Sequence, residues 1–282
     1  MSKLRKLMND NLELRGLSPT TIKEYLRQVS TYANYYKKSP DKLGNPEVRE
    51  YLLYLIKDCK LSSSSVNKAY CAIKFLYEDV LGDFKVMRNI PKIKSARVKM
   101  PLVLSKTEIR SIFSQIQNLK YLAILKLIYS AGLRISEATN LSLSDIDSRN
   151  MRIHVRCGKG AKERYTKLSD MALKTLRDYW HNQKPKDILF PGIKQNKPIH
   201  IRSVGMAFKQ ARIKANITKP ATVHTLRHSF ATHLLDQGEN LHTIQILLGH
   251  SSIRSTVIYL HVSLKQLEAV NSPLDCSEFR AI

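Results

Sequence analysis

The sequence predicts a mostly α protein with one small antiparallel β-sheet, built as a helical bundle followed by an α+β domain. Three observations predict it. Apolar residues recur at helical spacing over most of the 282 residues, with capping residues ahead of them. Alternation of apolar and polar residues appears at Met151, Ile153, Val155 and Cys157, beside the turn Gly158-Lys159-Gly160. Between the two halves lies a proline-flanked stretch that is basic and free of acidic residues.

The first half is a bundle of about four helices over residues 1–88. A short helix begins the chain. Ser18-Pro19 starts a second, with Ser as N-cap and Pro at N1, followed by Ile22, Tyr25, Leu26, Val29, Tyr32, Ala33 and Tyr36. Asn45-Pro46 opens a third around Val48, Leu52, Leu55 and Ile56. The serine run Ser62 to Ser65 caps a fourth that carries Val66 to Val80 and is closed by Gly82. Residues 89–104 read as a linker, since Pro91 and Pro101 break helices on either side. Ser105-Lys106-Thr107-Glu108 is a capping box, so the second domain spans 105–282. Its first long helix, Leu119 to Leu133, is apolar enough to be buried and ends at Gly132. A short helix, 135–141, comes next. The alternating strand and a return strand over Glu163 to Leu168 make a hairpin with Lys159 at its tip. Helices follow at 169–181, 203–215, 225–237, 243–248 and 252–261.

Lys and Arg number 47 against 23 Asp and Glu, a net charge of +24. Self-repulsion of that size would be relieved by a polyanion, and nucleic acid fits better than an acidic membrane because no basic amphipathic tail or lipidation motif is present. The charge is uneven: residues 1–88 hold 16 basic and 10 acidic side chains, residues 89–282 hold 31 and 13. The second segment therefore carries most of the attraction. Lys85, Arg88, Lys92, Lys94, Arg97 and Lys99 form an acid-free run that reads either as a solvated loop or as a linker lying against phosphates. Lys162, near the hairpin tip, is a further candidate contact. Four scattered cysteines, Cys59, Cys71, Cys157 and Cys276, lack a C-x-x-C pair, which argues against a zinc module or disulfide framework and fits a reducing cytoplasm. No apolar run approaches the roughly 20 residues of a membrane span, and the N-terminus lacks the apolar core of a signal peptide.

The segments AGLRISEATNL, CGKGAKER, VHTLRHSFATHLL and LLGHSSIRSTVIYLHV contain Arg134, Lys159, His224, Arg227, His250 and Tyr259. Arg134 follows Gly132, with Glu137 on the next turn and the apolar Leu133 and Ile135 beside it, so its guanidinium needs an anion. Glu137 and Asp145 read as support, orienting the arginine or stitching the domain. His224 and Arg227 share one face of a helix start, where an anion is favoured. His250 follows the C-cap Gly249. A metal site at His224, His228 and His233 is set aside, because no carboxylate or cysteine completes a set at ligand spacing; His228 and His233 read as structural. Two arginines, a lysine, two histidines and a tyrosine suit an attack on a phosphodiester that needs neither metal nor other cofactor: the arginines cancel charge on phosphorus, the tyrosine attacks, and the histidines and lysine move protons.

In order and spacing these motifs resemble the tyrosine recombinase (phage integrase) family, over most of the chain. The resemblance implies that Arg134 and Arg227 clamp the scissile phosphate, Lys159 protonates the departing 5′ oxygen, His224 transfers a proton, His250 hydrogen-bonds a non-bridging oxygen and Tyr259 is the nucleophile. Tyr165 and Tyr179 lack that context. It also implies a helical DNA-clamping domain, a 3′-phosphotyrosyl intermediate resealed without ATP, a dimer on each duplex site and a tetramer in synapsis, with the tail SLKQLEAVNSPLDCSEF contacting a neighbour. The compact length is similar to Xer-type recombinases and the ending NSPLD to integron integrases; a stand-alone integrase of a bacterial mobile element fits both. Two other readings stand beside it: a type IB topoisomerase, with the same chemistry, and a non-catalytic regulator in which Thr243 to Leu260 is a helix–turn–helix.

Overall fold

The computed structural model describes residues 3–94, 100–156, 163–194, 196–250 and 252–260. The chain divides into two compact units, Met1–Val98 and Lys99–Ile282. Among the described residues the fold is mostly helical with one three-stranded antiparallel sheet.

The first unit is built from α1 (Lys3–Leu14), α2 (Pro19–Tyr36), α3 (Asn45–Lys57) and α4 (Ser63–Lys74). The Ser18 hydroxyl accepts from the Thr21 amide and Ser62 from that of Ser65, so both serines cap as their sequence context predicts. Helix α4 runs on into a wide π turn, Phe75–Val80, closed by Gly82 at φ +69°. That turn brings Tyr77 inward, where its buried hydroxyl donates to the Pro40 carbonyl at 2.7 Å. Tyr32, Tyr51 and Tyr77 are core residues here together with Val48, Val66, Ala69 and Ile73. The stretch expected as a linker is anchored in part. Ile90 is buried, its carbonyl accepts from Tyr70, and Asn67 bonds both the amide and the carbonyl of Ile93. Lys85, Arg88, Lys92 and Lys94 are exposed, and no carboxylate pairs with them among the described residues. Arg97 and Lys99 lie outside the described residues.

The second unit contains α5 (Lys106–Ser114), α6 (Leu119–Ala131), α7 (Ile135–Thr139), α8 (Asp170–Gln183), α9 (Ile201–Lys214), α10 (Val223–Leu235), α11 (Leu241–Leu248) and the single turn α12 (Arg254–Val257). Helix α6 is its axis: Ala123, Ile124, Leu125, Leu127, Ile128 and Ala131 are all buried, and α8, α9 and α10 pack around it. The Leu104 amide donates to Ser229 of α10, tying the entry of the unit to its centre. The sheet has the order β1 (Ile146–Asp147), β2 (Arg152–Val155), β3 (Arg164–Lys167). The hairpin was legible in the sequence; β1, two residues long, is too short to show alternation. Register pairs Val155 with Arg164 and Ile153 with Thr166, and the Thr166 hydroxyl donates to the Ala131 carbonyl at the end of α6. The last sequence-predicted helix, 252–261, is shorter in the structure, because the chain beyond Val257 turns to bury Tyr259.

Gly132 ends α6 at φ +64°, a conformation costly for any residue with a Cβ. A Cβ added there would meet Phe230 at 2.6 Å and Leu248 at 2.9 Å. Gly132→Ala is therefore expected to cost about 2–4 kcal/mol from left-handed strain plus overpacking, measured by urea unfolding. A change below about 0.5 kcal/mol would contradict this packing.

Candidate active site

Five of the six residues singled out in the sequence converge in the second unit; the sixth, Lys159, lies outside the described residues, as does Lys162. Arg134 is delivered by the tight end of α6 and caps α7. Its amide donates to Glu137 Oε2 at 2.8 Å and its guanidinium to Glu137 Oε1 at 2.6 Å. Arg227 rises from α10 and is 1% exposed. It donates to the Gly132 carbonyl at 2.5 Å and the Leu248 carbonyl at 2.7 Å, and lies 3.7 Å from Glu137 Oε2. Burial, then the nearby Arg134 charge, lowers its pKa to about 10, so it remains a cation at neutral pH.

Arg164 was not singled out in the sequence. From β3 it grips Glu137 with a two-pronged fork, at 3.0 Å to Oε1 and 2.8 Å to Oε2, while its Nε donates to the Leu247 carbonyl. It fills the space beside Gly249, where a Cβ would come within 2.8 Å of the arginine. Three guanidiniums thus surround one buried carboxylate. Burial pushes the Glu137 pKa up, but hydrogen bonds from Arg164 and from the Arg134 amide outweigh it, and the net shift is downward. With one negative charge among three positive ones, the cluster carries a surplus of two positive charges. Asp145, by contrast, does not orient Arg134: it pairs with Arg156 and caps the Ser142 amide, so its role is to stitch the domain.

Tyr259 sits in an apolar cluster with Phe230, Ala231, Leu235, Ile244 and Leu248 and is 1% exposed. Burial raises its pKa; the charges of Arg227 and Arg134 pull the other way. Its hydroxyl lies 3.0 Å from His228 Nδ1. His228, expected from the sequence as structural, is in direct contact with the tyrosine. The periodicity of α10 gives no hint of this, because the partner is 31 residues away. His224 keeps part of its ring in solvent and meets His228 edge-on, with ring centres 4.4 Å apart. Burial, then Arg227 and Arg134, holds its pKa below the usual histidine range. His250 bonds the buried Thr256 hydroxyl through Nδ1 and lies nearly parallel to the Tyr259 ring. Burial, followed by Arg227 and Arg134, drops its pKa to about 4. His233 bonds the Tyr129 hydroxyl through Nδ1. Among the described residues no three His, Cys, Asp or Glu side chains gather as a metal site. The helix–turn–helix reading fails locally, since α12 is one turn long and the chain after it faces inward.

Residues 103–266 match the family model described as the phage integrase family, and residues 4–84 match the phage integrase N-terminal SAM-like domain. The chain belongs to the phage integrase family of tyrosine recombinases. A Sinorhizobium fredii protein described as an integrase/recombinase is 40% identical over 98% of this chain and 89% of its own length. A tyrosine recombinase of Thermosipho africanus is 32% identical over 93% of this chain and 96% of its own. Among solved structures, XerH recombinase bound to its palindromic difH substrate after cleavage superposes with a TM-score of 0.73 at 21% identity, over 95% of this chain and 84% of that one; this likeness is one of fold. No helix among the described residues of this tyrosine recombinase is long and apolar enough to cross a membrane.

Proposed function

We propose that this chain is a site-specific recombinase that breaks and rejoins duplex DNA through a covalent bond between Tyr259 and a 3′ phosphate. One observation carries the reading: a tyrosine hydroxyl lies beside an arginine cluster with a surplus of two positive charges. A phosphodiester brings one negative charge, and attack by a phenolate brings a second, so the developing phosphorane matches the surplus. Arg134 and Arg227 clamp the non-bridging oxygens, Arg164 and Glu137 hold the clamp in position, His224 transfers a proton and His250 supplies a hydrogen bond. Lys159 is the acid that protonates the departing 5′ oxygen. The helical unit 1–88 and the run 85–99 grip the duplex, with Arg97, Lys99 and Lys162 as further phosphate contacts. A dimer on each recombination site and a tetramer in synapsis complete the reading.

The test is capture of covalent protein–DNA adducts under denaturing conditions, followed by sequencing of the attached DNA. Adducts at one defined site support recombination. Scattered adducts would turn the reading to a topoisomerase, and DNA bound with no adduct would overturn it. A second expectation concerns Lys85, Arg88, Lys92 and Lys94. Changing all four to glutamine is expected to weaken binding on every sequence and to flatten the slope of log K against log salt by about 0.9 for each phosphate that is no longer neutralised. An unchanged slope, read by fluorescence anisotropy over a salt series, would remove these four from the interface.

A further inference from the structure

Strand β3 reads Arg164-Tyr165-Thr166-Lys167, and its inward residues, Arg164 and Thr166, are both polar. Apolar patterning fixes the register of a half-buried strand. It acts on β2 through the buried Ile153 and Val155, but β3 offers it nothing. Among the described residues β3 is also the edge of the sheet, and Arg164 stands on the last rung of the ladder, opposite Val155. Pairing is weakest at such an end. A slip of one residue would turn Arg164 out to solvent and release Glu137.

The outward face of the hairpin supplies the missing constraint. Tyr165 lies opposite His154 of β2, and the two rings stack with centres 4.7 Å apart and planes 15° from parallel. The His154 Nε2–H donates to Glu163 Oε2 at 3.1 Å. Glu163 is a diagonal neighbour across the strands, a separation that long side chains span. One imidazole thus holds the residues on both sides of Arg164, while Arg164 faces the other way and forks Glu137 at 3.0 and 2.8 Å. Glutamine at this position would keep the bond and lose the stack; phenylalanine would keep the stack and lose the bond. Close by on β2, Arg156 donates to Asp145 and Ser144, so that strand has its own anchor. We propose that His154 is a positioning residue for strand cleavage: by clasping Glu163 and Tyr165 it fixes the register of β3 and keeps Arg164 on Glu137. This rests on Arg164 and Glu137 holding the phosphate clamp.

The experiment measures single-turnover adduct formation by the full-length protein on two versions of its site. One has the ordinary scissile phosphate. The other has a methylphosphonate, in which methyl replaces one non-bridging oxygen. That neutral group brings one negative charge fewer to the phosphorane, so a loosened clamp matters less to it. His154→Ala is expected to be about 10-fold slower on the phosphate, and within about 3-fold of wild type on the methylphosphonate. His154→Phe, which keeps the stack, should recover part of the rate. In an Arg164→Met background His154→Ala should add little, because the two changes act through one contact. Wild-type rates in His154→Ala, equal losses on both substrates, or a full further loss in the Arg164→Met background would overturn the proposal. Melting and DNA binding establish that the variants are folded. Should Arg164→Met cost the fold, Arg164→Lys takes its place. Equal losses on the two substrates by the Arg164 variant itself would instead sink the clamp reading. That result is distinct from an Arg164 variant whose loss shrinks beside a His154→Ala whose loss does not.

Discussion

Tyr259→Phe is expected to abolish covalent adducts and strand exchange while leaving DNA binding and the fold in place. The ring packs with Phe230, Leu235, Ile244 and Leu248, and phenylalanine preserves that burial. What is lost is the hydroxyl and its bond to His228, about 1 kcal/mol of stability. The chemical loss is far larger: without a nucleophile, cleavage should fall by roughly 10^4-fold or more. A denaturing gel of wild type and variant on the same DNA reads both results. Adducts of unchanged yield would mean that another residue attacks; loss of DNA binding together with cleavage would mean that the phenol supports the fold.

The second large effect is expected at Glu137. Its side chain is 2% exposed and holds Arg134 and Arg164, with Arg227 3.7 Å away. Glu137→Gln keeps the shape and removes the charge, leaving three guanidiniums facing one another. Breaking a buried ion pair on one side costs about 3–5 kcal/mol, which for a unit of this size is roughly 6–20 °C in melting temperature. Sulfate or phosphate should restore part of the loss by occupying the arginines, and more than chloride at equal ionic strength. A melting temperature within a degree of wild type would show that the arginines do not depend on this carboxylate. The same group sets an acid limit. The folded pKa of Glu137 lies below its ordinary 4.5. Its contribution is thus complete above about pH 4.5 and is lost as pH falls through the lower folded value. Wild type should lose stability there, and Glu137→Gln should lose less over the same range.

Much of this was legible before any coordinates. Helix caps at Ser18, Ser62 and Ser105 and the glycine stop at Gly132 predicted element ends that the structure has. Arg134, His224, Arg227, His250 and Tyr259 come together as neighbours in space. Arg164 was hidden for a specific reason. In β3 the alternation is inverted: Tyr165 points to solvent at 59% exposure, while the polar Thr166 is buried and Arg164 turns in toward Glu137. A pattern rule that puts apolar residues inside reads that strand backward. A signal was present nonetheless, since Arg164 is two residues from Thr166 and shares its face. His228 was hidden because helical spacing reports which face a residue occupies and says nothing of what arrives there from another element.

Three consecutive carbonyls at the end of α11 each receive a different arginine: Leu247 takes Arg164, Leu248 takes Arg227, and Gly249 takes Arg134 in a longer contact of 3.4 Å. These groups carry the negative pole of the helix, about half an elementary charge spread over its last turn. They can fix the spacing of cations without neutralising them, as carboxylates would. The helix end works as a jig for the three guanidiniums. The backbone leaving that helix end carries His250 and then Tyr259, so a shift of residues 247–249 would take one acceptor from each guanidinium while Glu137 and the Gly132 carbonyl keep their hold. The positions of three cations and of the chain that leads to Tyr259 are thus referred to one short stretch of backbone.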